Sequence, residues 1–263
     1  DLPKNVISTG VNSISQLNTI NKFIKSNEIK KTIFLTPDLH YKDEVKSAIK
    51  KSNIKIFKHY IYDIDPTKLT QQIEDLTNYK IRKQNLVDEI KRIENSNLED
   101  KERRIKRLKK RYTIGNVDFD SIIISDFDES LKSVITSFLY SDVSPKNKYF
   151  ITFNQWFDKS LLSENATQPI YFPSINKGNL EKFNSDFETK YNQKPNHLSL
   201  LSYDLLGLIY YLSIKTDFSD LNNLFKKENS FKGKIGIFDV KNNSIHHRLN
   251  FYKIENNKFK EIF

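Results

Sequence analysis

The side chains best suited to binding a ligand directly follow two predicted strands. Asn154, Gln155 and Trp156 come after the apolar run 148–153, and Asp38 and Tyr41 come after the apolar run 32–35. Short apolar strands that alternate with helices predict a parallel sheet, and ligands gather at the carboxyl edge of such a sheet. Amide, phenol and carboxylate groups supply the hydrogen-bond donors and acceptors that a ligand needs. The sequence therefore predicts a ligand-binding edge that contains these five residues.

Catalytic and metal-binding patterns find no support in the sequence. The five histidines are scattered, and none forms an i, i+4 pair with a second metal ligand. The chain has no cysteine, no G-x-S-x-G, no phosphate-binding glycine-rich loop and no H-E-x-x-H. Acidic residues bracket one predicted strand, but without a second catalytic element they are best explained as caps and strand-end polar groups: Asp118, Asp120, Asp126 and Asp128. We therefore expect no enzymatic activity, no metal and no cofactor.

The positive charge of the chain is concentrated in one segment. The formal net charge is +10, and residues 80–111 hold 13 Lys and Arg against 6 Asp and Glu, a net +7 that leaves +3 for the remainder. This local excess argues against nucleic-acid binding, which would need a basic surface across the fold. Two explanations stay open: the charges solvate an exposed helix pair, or they dock an acidic or glycan-rich partner. The docking candidates are Arg103, Arg104, Lys106 and Arg107.

The hydrophobic pattern predicts an α/β protein with an inserted helical hairpin and a β-rich C-terminal tail. The predicted strands cover residues 5–10, 32–35, 54–61, 121–124, 148–153 and 169–172. Helical periodicity predicts helices over residues 14–24, 42–51, 66–76, 129–138, 180–191, 197–213 and 221–227. Spacings of four and three predict the hairpin over residues 78–112, with an interior of Leu86, Ile90, Ile93, Ile105, Leu108 and Tyr112. Alternating apolar residues around Asn242 and Asn243 predict antiparallel strands in the tail, the second over residues 248–254.

The predicted helix 197–213 is apolar almost all round, which is typical of a buried helix. No uninterrupted apolar run reaches the roughly 20 residues that a membrane-spanning helix needs, so we expect no such span. The chain has no initiator Met and no signal peptide, so we expect a mature or trimmed product.

The order of these segments resembles the type I periplasmic binding protein superfamily. The nearest branches are the penicillin-binding protein activator lipoproteins and the branched-chain amino-acid-binding receptors of alphaproteobacteria. The resemblance is carried by an ordered set of short pieces together with the loop around Trp156: Tyr140, Asp142, Val143 and Pro145; Tyr191 to Pro195; Ser202, Tyr203 and Asp204; Phe231, Lys232 and Gly233; and Gly236 to Asp239. Together they span essentially the whole chain.

The resemblance implies a two-lobed arrangement. Residues 5–172 would form a Rossmann-like second lobe with the hairpin inserted, residues 173–230 the helical part of the first lobe, and residues 231–263 the C-terminal strands and the hinge return. It also implies that the first half of lobe one is absent from this sequence. The apolar helix 197–213 would then lack its sheet, or be covered in some other way, because an exposed face of that size is costly.

The resemblance further implies a non-enzymatic lipoprotein of the periplasm, lipid-anchored, that activates or scaffolds a peptidoglycan synthase or another envelope protein. The alternative is the substrate-binding component of an ABC importer for a small polar solute such as an amino acid. Relatives that bind amino acids often place an Asp where Asn154 and Gln155 stand here, and neutral amides pair poorly with an ammonium group. Tyr41 matches a tyrosine that opens the lobe-two helix in many relatives. Tyr203 is a further cleft candidate, although beside Asp204 it also fits a structural anchor.

Overall fold

A seven-stranded sheet forms the centre of the computed structural model, which describes residues 6, 8–215, 229–234, 236–241 and 244–263. Its strands are β1 (Thr32–Pro37), β2 (Lys58–Tyr62), β3 (Ser121–Ile124), β4 (Tyr149–Thr152), β5 (Ile170–Ser174), β9 (Asn250–Glu255) and β10 (Lys258–Glu261). Their order is β10-β9-β5-β4-β3-β1-β2. Strands β1 to β5 pair in parallel, and β9 and β10 add an antiparallel edge. The predicted α/β class with a β-rich tail is confirmed.

Four helices cover the two faces of this sheet: α1 (Ser13–Ser26), α2 (Lys42–Lys51), α3 (Pro66–Leu76) and α6 (Asp128–Tyr140). Helices α1 and α2 pack on one face, and α3 and α6 pack on the other. Successive side chains of a strand point to opposite faces, so Ile122 and Ile124 join the α3–α6 layer while Ile123 joins the α1–α2 layer. The strands are therefore buried on both sides, as parallel strands require.

Side-chain caps fix where two of these helices begin. The Asn12 side-chain oxygen accepts a hydrogen bond from the Ser15 N–H at 2.8 Å, and the Asp65 carboxylate accepts one from the Thr67 N–H at 2.9 Å. Pro66 occupies the first turn of α3, where a backbone N–H would have no helical partner. The predicted start of α3 is confirmed for this reason.

The predicted helical hairpin consists of α4 (Tyr79–Glu94) and α5 (Lys101–Leu108). Its interior is a small apolar cluster that closes without help from the main sheet: Leu86, Ile90, Ile93, Ile105, Leu108 and Ile114. The prediction that Tyr112 belongs to this interior is wrong, because its side chain is 76% exposed. Helix α5 ends at Leu108, so helical spacing no longer places residue 112 on the inner face, and Ile114 takes that position.

The second part of the fold contains α7 (Lys177–Tyr191), α8 (His197–Lys215) and a small antiparallel sheet of β6 (Asn229–Lys232), β7 (Ile237–Lys241) and β8 (Ser244–His247). Leu208 and Leu212 of α8 pack against Phe238, Val240 and Ile245 of the sheet. Strands β7 and β8 pair antiparallel on either side of residues 242 and 243, as predicted. The strand that follows those residues is Ser244–His247, whereas the predicted strand 248–254 corresponds to β9, which pairs with β5 and β10.

The prediction that the 197–213 helix is buried is wrong. Leu206 of α8 is 66% exposed, and six other large apolar residues of this helix are also exposed: Leu198, Tyr203, Ile209, Tyr210, Tyr211 and Ile214. The covered apolar side chains of α8 are Leu208 and Leu212, which face the small sheet, and Leu200, which packs with Ile175 and Phe183. By length and composition, α8 is also the one helix of the described residues that could cross a membrane. Within its 18-residue stretch His197–Ile214, 22% of the residues are buried. The length of uninterrupted apolar runs predicted no membrane-spanning helix. Core helices of soluble proteins also meet this criterion of length and composition.

Some predicted boundaries differ from the observed ones. Residues 54–57 precede β2, because pairing with β1 begins at the Ile33–Lys58 register. In the predicted strand 5–10, Ser8 forms an isolated bridge with Ser244 and no strand is present in the described part. Residues 1–5 and 7 of that region, and the predicted helix 221–227, lie outside the described residues.

Candidate ligand-binding edge

The carboxyl edge of the sheet carries five of the six predicted cleft residues. Asp38 follows β1 directly and Tyr41 immediately precedes α2, while Asn154, Gln155 and Trp156 follow β4. Strand β3 lies between β1 and β4 in the sheet. The residues that follow β3 are therefore placed between the two predicted segments, and one of them is a carboxylate, Asp126.

Asp126 is the charged residue of this edge that the sequence reasoning missed. Its side chain is 5% exposed and accepts hydrogen bonds from the Tyr62 hydroxyl and from the Phe127 N–H, the latter at 2.9 Å. Burial raises the pKa of Asp126 above its ordinary value, and the two hydrogen bonds oppose that shift only in part. The sequence contained one usable signal, since Asp126 follows a predicted strand that lies between the two candidate segments.

Two tyrosines surround the Asp126 carboxylate. Burial, followed by the charge of Asp126, raises the pKa of the Tyr62 phenol well above its ordinary range. The same two causes raise the pKa of Tyr41 to about 12, and the Tyr41 hydroxyl donates to the Ser125 carbonyl at 3.4 Å. Both phenols are therefore neutral donors at neutral pH. The Asp126 carboxylate is thus buried at the end of β3. The Tyr62 hydroxyl is bonded to it, and the Tyr41 hydroxyl is bonded to the carbonyl of the preceding residue, Ser125.

Asn154 is part of an internal network. Its backbone N–H donates to the Gln16 side-chain oxygen at 2.7 Å, and its own side-chain oxygen accepts from the Ser174 hydroxyl at 2.8 Å and from the Trp156 N–H at 3.0 Å. These bonds join α1, the end of β5 and the loop after β4. The Asn154 side-chain nitrogen is buried without a hydrogen-bond partner in the described chain, which is uncommon for a buried amide.

Gln155 points back into the protein. Its buried side-chain nitrogen donates to the Thr152 hydroxyl at 3.1 Å, to the Asp126 carbonyl at 3.1 Å and to the Phe153 carbonyl at 3.3 Å. This amide therefore fixes the loops after β3 and β4 relative to each other. In this arrangement its donors are committed to the protein and not to a ligand.

Trp156 lies beside a cavity of about 630 Å³. Trp156 and Phe157 both have left-handed backbone angles, with φ of 48° and 58°, which turns the chain sharply after β4. The Trp156 ring stacks on the His197 ring with centroids 5.0 Å apart. The cavity is lined by aromatic and basic side chains as well as by acidic ones of α7, including Phe157, Phe259, Lys159, Lys177, Lys258 and Glu181.

Two of the six predicted cleft residues, Asp38 and Tyr203, take no part in the hydrogen bonds around Asp126 and Asn154. Asp38 is exposed and forms an ion pair with Lys42 one helical turn away. Tyr203 lies on α8, is 53% exposed, packs edge-on against Phe183 and borders a cavity of about 440 Å³ next to the small sheet. The neighbouring Asp204 accepts a hydrogen bond from the Lys234 N–H at 2.6 Å, which ties α8 to the sheet.

The four predicted docking residues of α5 are all exposed. Arg104 forms an ion pair with Asp100 at 2.8 Å, whereas Arg103, Lys106 and Arg107 have no ion pair within the described part of the chain. They project from a hairpin that has its own apolar interior. The result is a cationic surface in which three of the four charges have no ion pair in the described chain.

Comparison with solved structures identifies the fold. A putative branched-chain amino acid ABC transporter from Rhodospirillum rubrum superposes with a TM-score of 0.65 at 9% identity, covering 96% of this chain and 66% of that chain. A branched chain amino acid ABC transporter periplasmic ligand-binding protein from Burkholderia xenovorans gives 0.62 at 10% identity, with coverages of 98% and 64%. LpoA from Haemophilus influenzae gives 0.58 at 11% identity, with coverages of 100% and 42%. No protein-family model and no curated protein sequence matches this chain.

The chain therefore has the fold of the type I periplasmic binding proteins, as the resemblance in its sequence predicted. It spans between 42% and 66% of the length of these three structures. At identities near 10% the similarity establishes the fold alone, and the predicted lobe boundaries stay predictions.

Proposed function

We propose that this protein is a non-enzymatic, lipid-anchored component of the periplasm that scaffolds or activates a peptidoglycan synthase. The observation that carries the proposal is the cationic surface of α5, formed by Arg103, Arg104, Lys106 and Arg107. Three of these four cations have no ion pair in the described chain. An acidic surface on a partner protein would provide the missing counter-charges.

The hairpin is suited to docking because it is fixed to the body of the protein. Its apolar interior holds α4 and α5 together, and the buried Arg82 at its base donates to the Thr77 carbonyl at 2.9 Å and to the Thr113 hydroxyl at 3.1 Å. A charged surface held in one orientation loses less entropy on binding than a mobile one. Exposed charges of this kind chiefly set the association rate and its dependence on salt.

The carboxyl edge of the sheet supports a scaffold more than a transport receptor. The Gln155 amide is committed to internal hydrogen bonds, and the Asp126 carboxylate is withdrawn and bonded to Tyr62. A receptor for an amino acid would need a charged group open to the ligand's ammonium. A scaffold has no such requirement.

The test measures binding of the purified protein to the ectodomain of the peptidoglycan synthase encoded by the same genome, by surface biosensor at two salt concentrations. Replacing the four α5 cations by Ser should reduce the association rate by about tenfold or more at low salt. The matched control replaces four other exposed lysines by Ser, which changes the net charge equally: Lys25, Lys50, Lys51 and Lys55. Equal binding by both variants and the unmodified protein would reject the docking surface.

A second function is favoured by one observation, the cavity beside Trp156. We propose as the alternative that the protein binds a small solute there, as the substrate-binding component of an importer. Aromatic side chains next to Lys159 and Lys258 suit an aromatic acid. A solute binding protein from Rhodopseudomonas palustris with a TM-score of 0.57 was solved in complex with 4-hydroxybenzoate.

The fluorescence of Trp156, the single tryptophan, tests this alternative without a label. Hydroxybenzoates, amino acids and short peptides would be titrated while thermal stability is followed in parallel, because a ligand of the native state raises the unfolding temperature. A saturable change that is lost in Lys159→Gln would support solute binding. A flat response to every solute would reject it and leave the scaffold proposal unaffected.

A further inference from the structure

A second polar cavity lies on the opposite edge of the sheet from the predicted cleft. Its volume is about 460 Å³, and it is enclosed by segment 110–117 at the base of the hairpin and by segment 142–148. These segments precede β3 and β4, so the cavity opens at the amino edge of the sheet. It is formed where the inserted hairpin rejoins the α/β body and shares no lining residue with the cavity beside Trp156.

The lining of this cavity is strongly cationic. Arg82, Lys110, Arg111 and Lys148 border it, and Asp142 is the one acidic residue among the lining side chains. None of the four cations forms an ion pair within the described residues, and the Asp142 carboxylate accepts its hydrogen bond from the Thr113 hydroxyl at 2.6 Å. The cavity therefore has a formal excess of three positive charges.

The buried Arg82 distinguishes this cavity from a group of surface lysines. Its side chain is 5% exposed, and all three of its protein hydrogen bonds go to neutral oxygens, those of Thr77, Thr113 and Ser141. A guanidinium has five N–H donors, so two remain without an acceptor in the described chain. Burial lowers the pKa of Arg82, yet a guanidinium keeps its charge in proteins. Asp142 acts on Arg82 only through its charge and through the shared Thr113 hydroxyl, so this buried cation has no direct ion pair in the described chain. A buried charge without a direct partner is costly, and a bound anion would lower that cost.

We propose that this cavity binds a phosphate or diphosphate group carried by a small soluble molecule. Arginine presents a planar fork that matches phosphate oxygens, and lysines add point charge. A group with two or three negative charges offsets the excess of three positive charges, whereas a single carboxylate would leave most of it uncompensated. The volume is within the range of ligand sites in proteins, about 300–1,000 Å³.

Binding at this site would connect the hairpin to the body of the protein. Arg82 belongs to α4 and Arg111 follows α5, whereas Lys148 immediately precedes β4. An anion held between them would stabilise the orientation of the hairpin. This inference stands on the cavity alone and does not depend on what the α5 surface binds.

The test uses the full chain and three probes: inorganic phosphate, pyrophosphate and sulfate. Each is titrated at constant ionic strength by calorimetry and by thermal unfolding. We expect saturable binding with pyrophosphate tighter than phosphate, and a rise in unfolding temperature that saturates with it. Sulfate that binds as tightly as pyrophosphate would overturn the assignment to phosphate groups, and the absence of saturation with all three would overturn the site.

Variants separate a site from general electrostatic attraction. Lys110 and Arg111 are exposed and make no side-chain hydrogen bond or ion pair in the described chain, so Lys110→Gln with Arg111→Gln should fold normally. We expect this pair to weaken pyrophosphate binding by about tenfold or more, because charge-assisted contacts are lost. The matched control, Lys50→Gln with Lys51→Gln, removes the same charge elsewhere and should leave affinity within about twofold. An equal loss in both pairs would show attraction to net charge and overturn the proposal.

Discussion

Arg82 provides the sharpest test of how the hairpin is held. Its guanidinium donates to the carbonyls of Thr77 and Ser141, which follow the last residues of α3 and α6, and to the hydroxyl of Thr113. The carboxyl ends of helices carry unpaired carbonyls and partial negative charge, so a cation there satisfies both needs. One side chain thus caps two helices of the body from within the insertion.

The expected cost of Arg82→Met follows from these bonds. Thr77 and Ser141 are fully buried, so the substitution leaves two buried carbonyls without their donor, at about 1–3 kcal/mol each. Removal of a desolvated charge offsets part of that loss. We expect the free energy of unfolding to fall by about 3 kcal/mol.

Urea unfolding measures the global loss, and hydrogen exchange of α4 and α5 amides shows whether the hairpin opens first. Arg92→Met is the matched control, because Arg92 lies on the same helix and pairs with Glu89 at the surface. Surface pairs contribute little, so this variant should lose less than about 1 kcal/mol. If Arg82→Met and Arg92→Met have the same stability, the anchoring role of Arg82 is refuted.

Three further predictions concern other buried groups. Burial lowers the pKa of His247 to about 4 from its unfolded value of 6.5, so the unfolded state binds more protons between these values and stability falls as the pH drops. His247→Leu should remove about 2 kcal/mol of difference between pH 7 and pH 5, and an unchanged difference in urea unfolding would contradict this. Tyr62→Phe removes a donor to Asp126 and should cost about 1–3 kcal/mol at pH 7, but less in acid, below the raised pKa of Asp126, where the carboxyl is protonated; an equal cost in acid and at pH 7 would argue against the bond. Gly233→Ala places a Cβ 2.1 Å from an Asp204 carboxylate oxygen and should lower stability by about 1–3 kcal/mol in thermal unfolding, a loss that Asp204→Ala should partly relieve.

The sequence predicted elements whose limits are set locally. Helix α2 occupies residues 42–51 as predicted, because its apolar spacing and the residues adjacent to it in sequence define both ends. The start of β2 was missed since it depends on where the strand meets β1, which the pattern of residues 54–61 does not contain. The exposure of α8 was missed for a related reason: an apolar composition indicates a preference for burial and says nothing about which surface provides it.

The sequence pattern located the candidate residues in the fold but not the hydrogen bonds they form. Topology placed Asn154 and Gln155 at a strand end, yet their hydrogen bonds turn inward. The Asp126 carboxylate and the Tyr62 hydroxyl are 64 residues apart in the chain, and only the parallel alignment of β2, β1 and β3 brings them together. A contact between residues so far apart in the chain cannot be predicted from the local spacing of residue types. For this reason Asp126 was explained from the sequence as a cap or strand-end polar group.

The two edges of the sheet differ in a way that bears on function. At the carboxyl edge the donors of Gln155 are paired internally and the charge of Asp126 is withdrawn. At the amino edge Arg82 is buried without a direct ion pair and reaches Asp142 only through the Thr113 hydroxyl, and the other lining cations form no ion pair in the described chain. Buried charges in proteins are usually paired, so a buried cation without a direct ion pair is where an external anion has most to gain. Segment 80–111, which contains nearly all of the hairpin and holds +7 of the net +10, begins at that edge. The proposed α5 surface and the proposed anion cavity therefore both lie on the insertion or at its base, where lining cations lack ion pairs in the described chain.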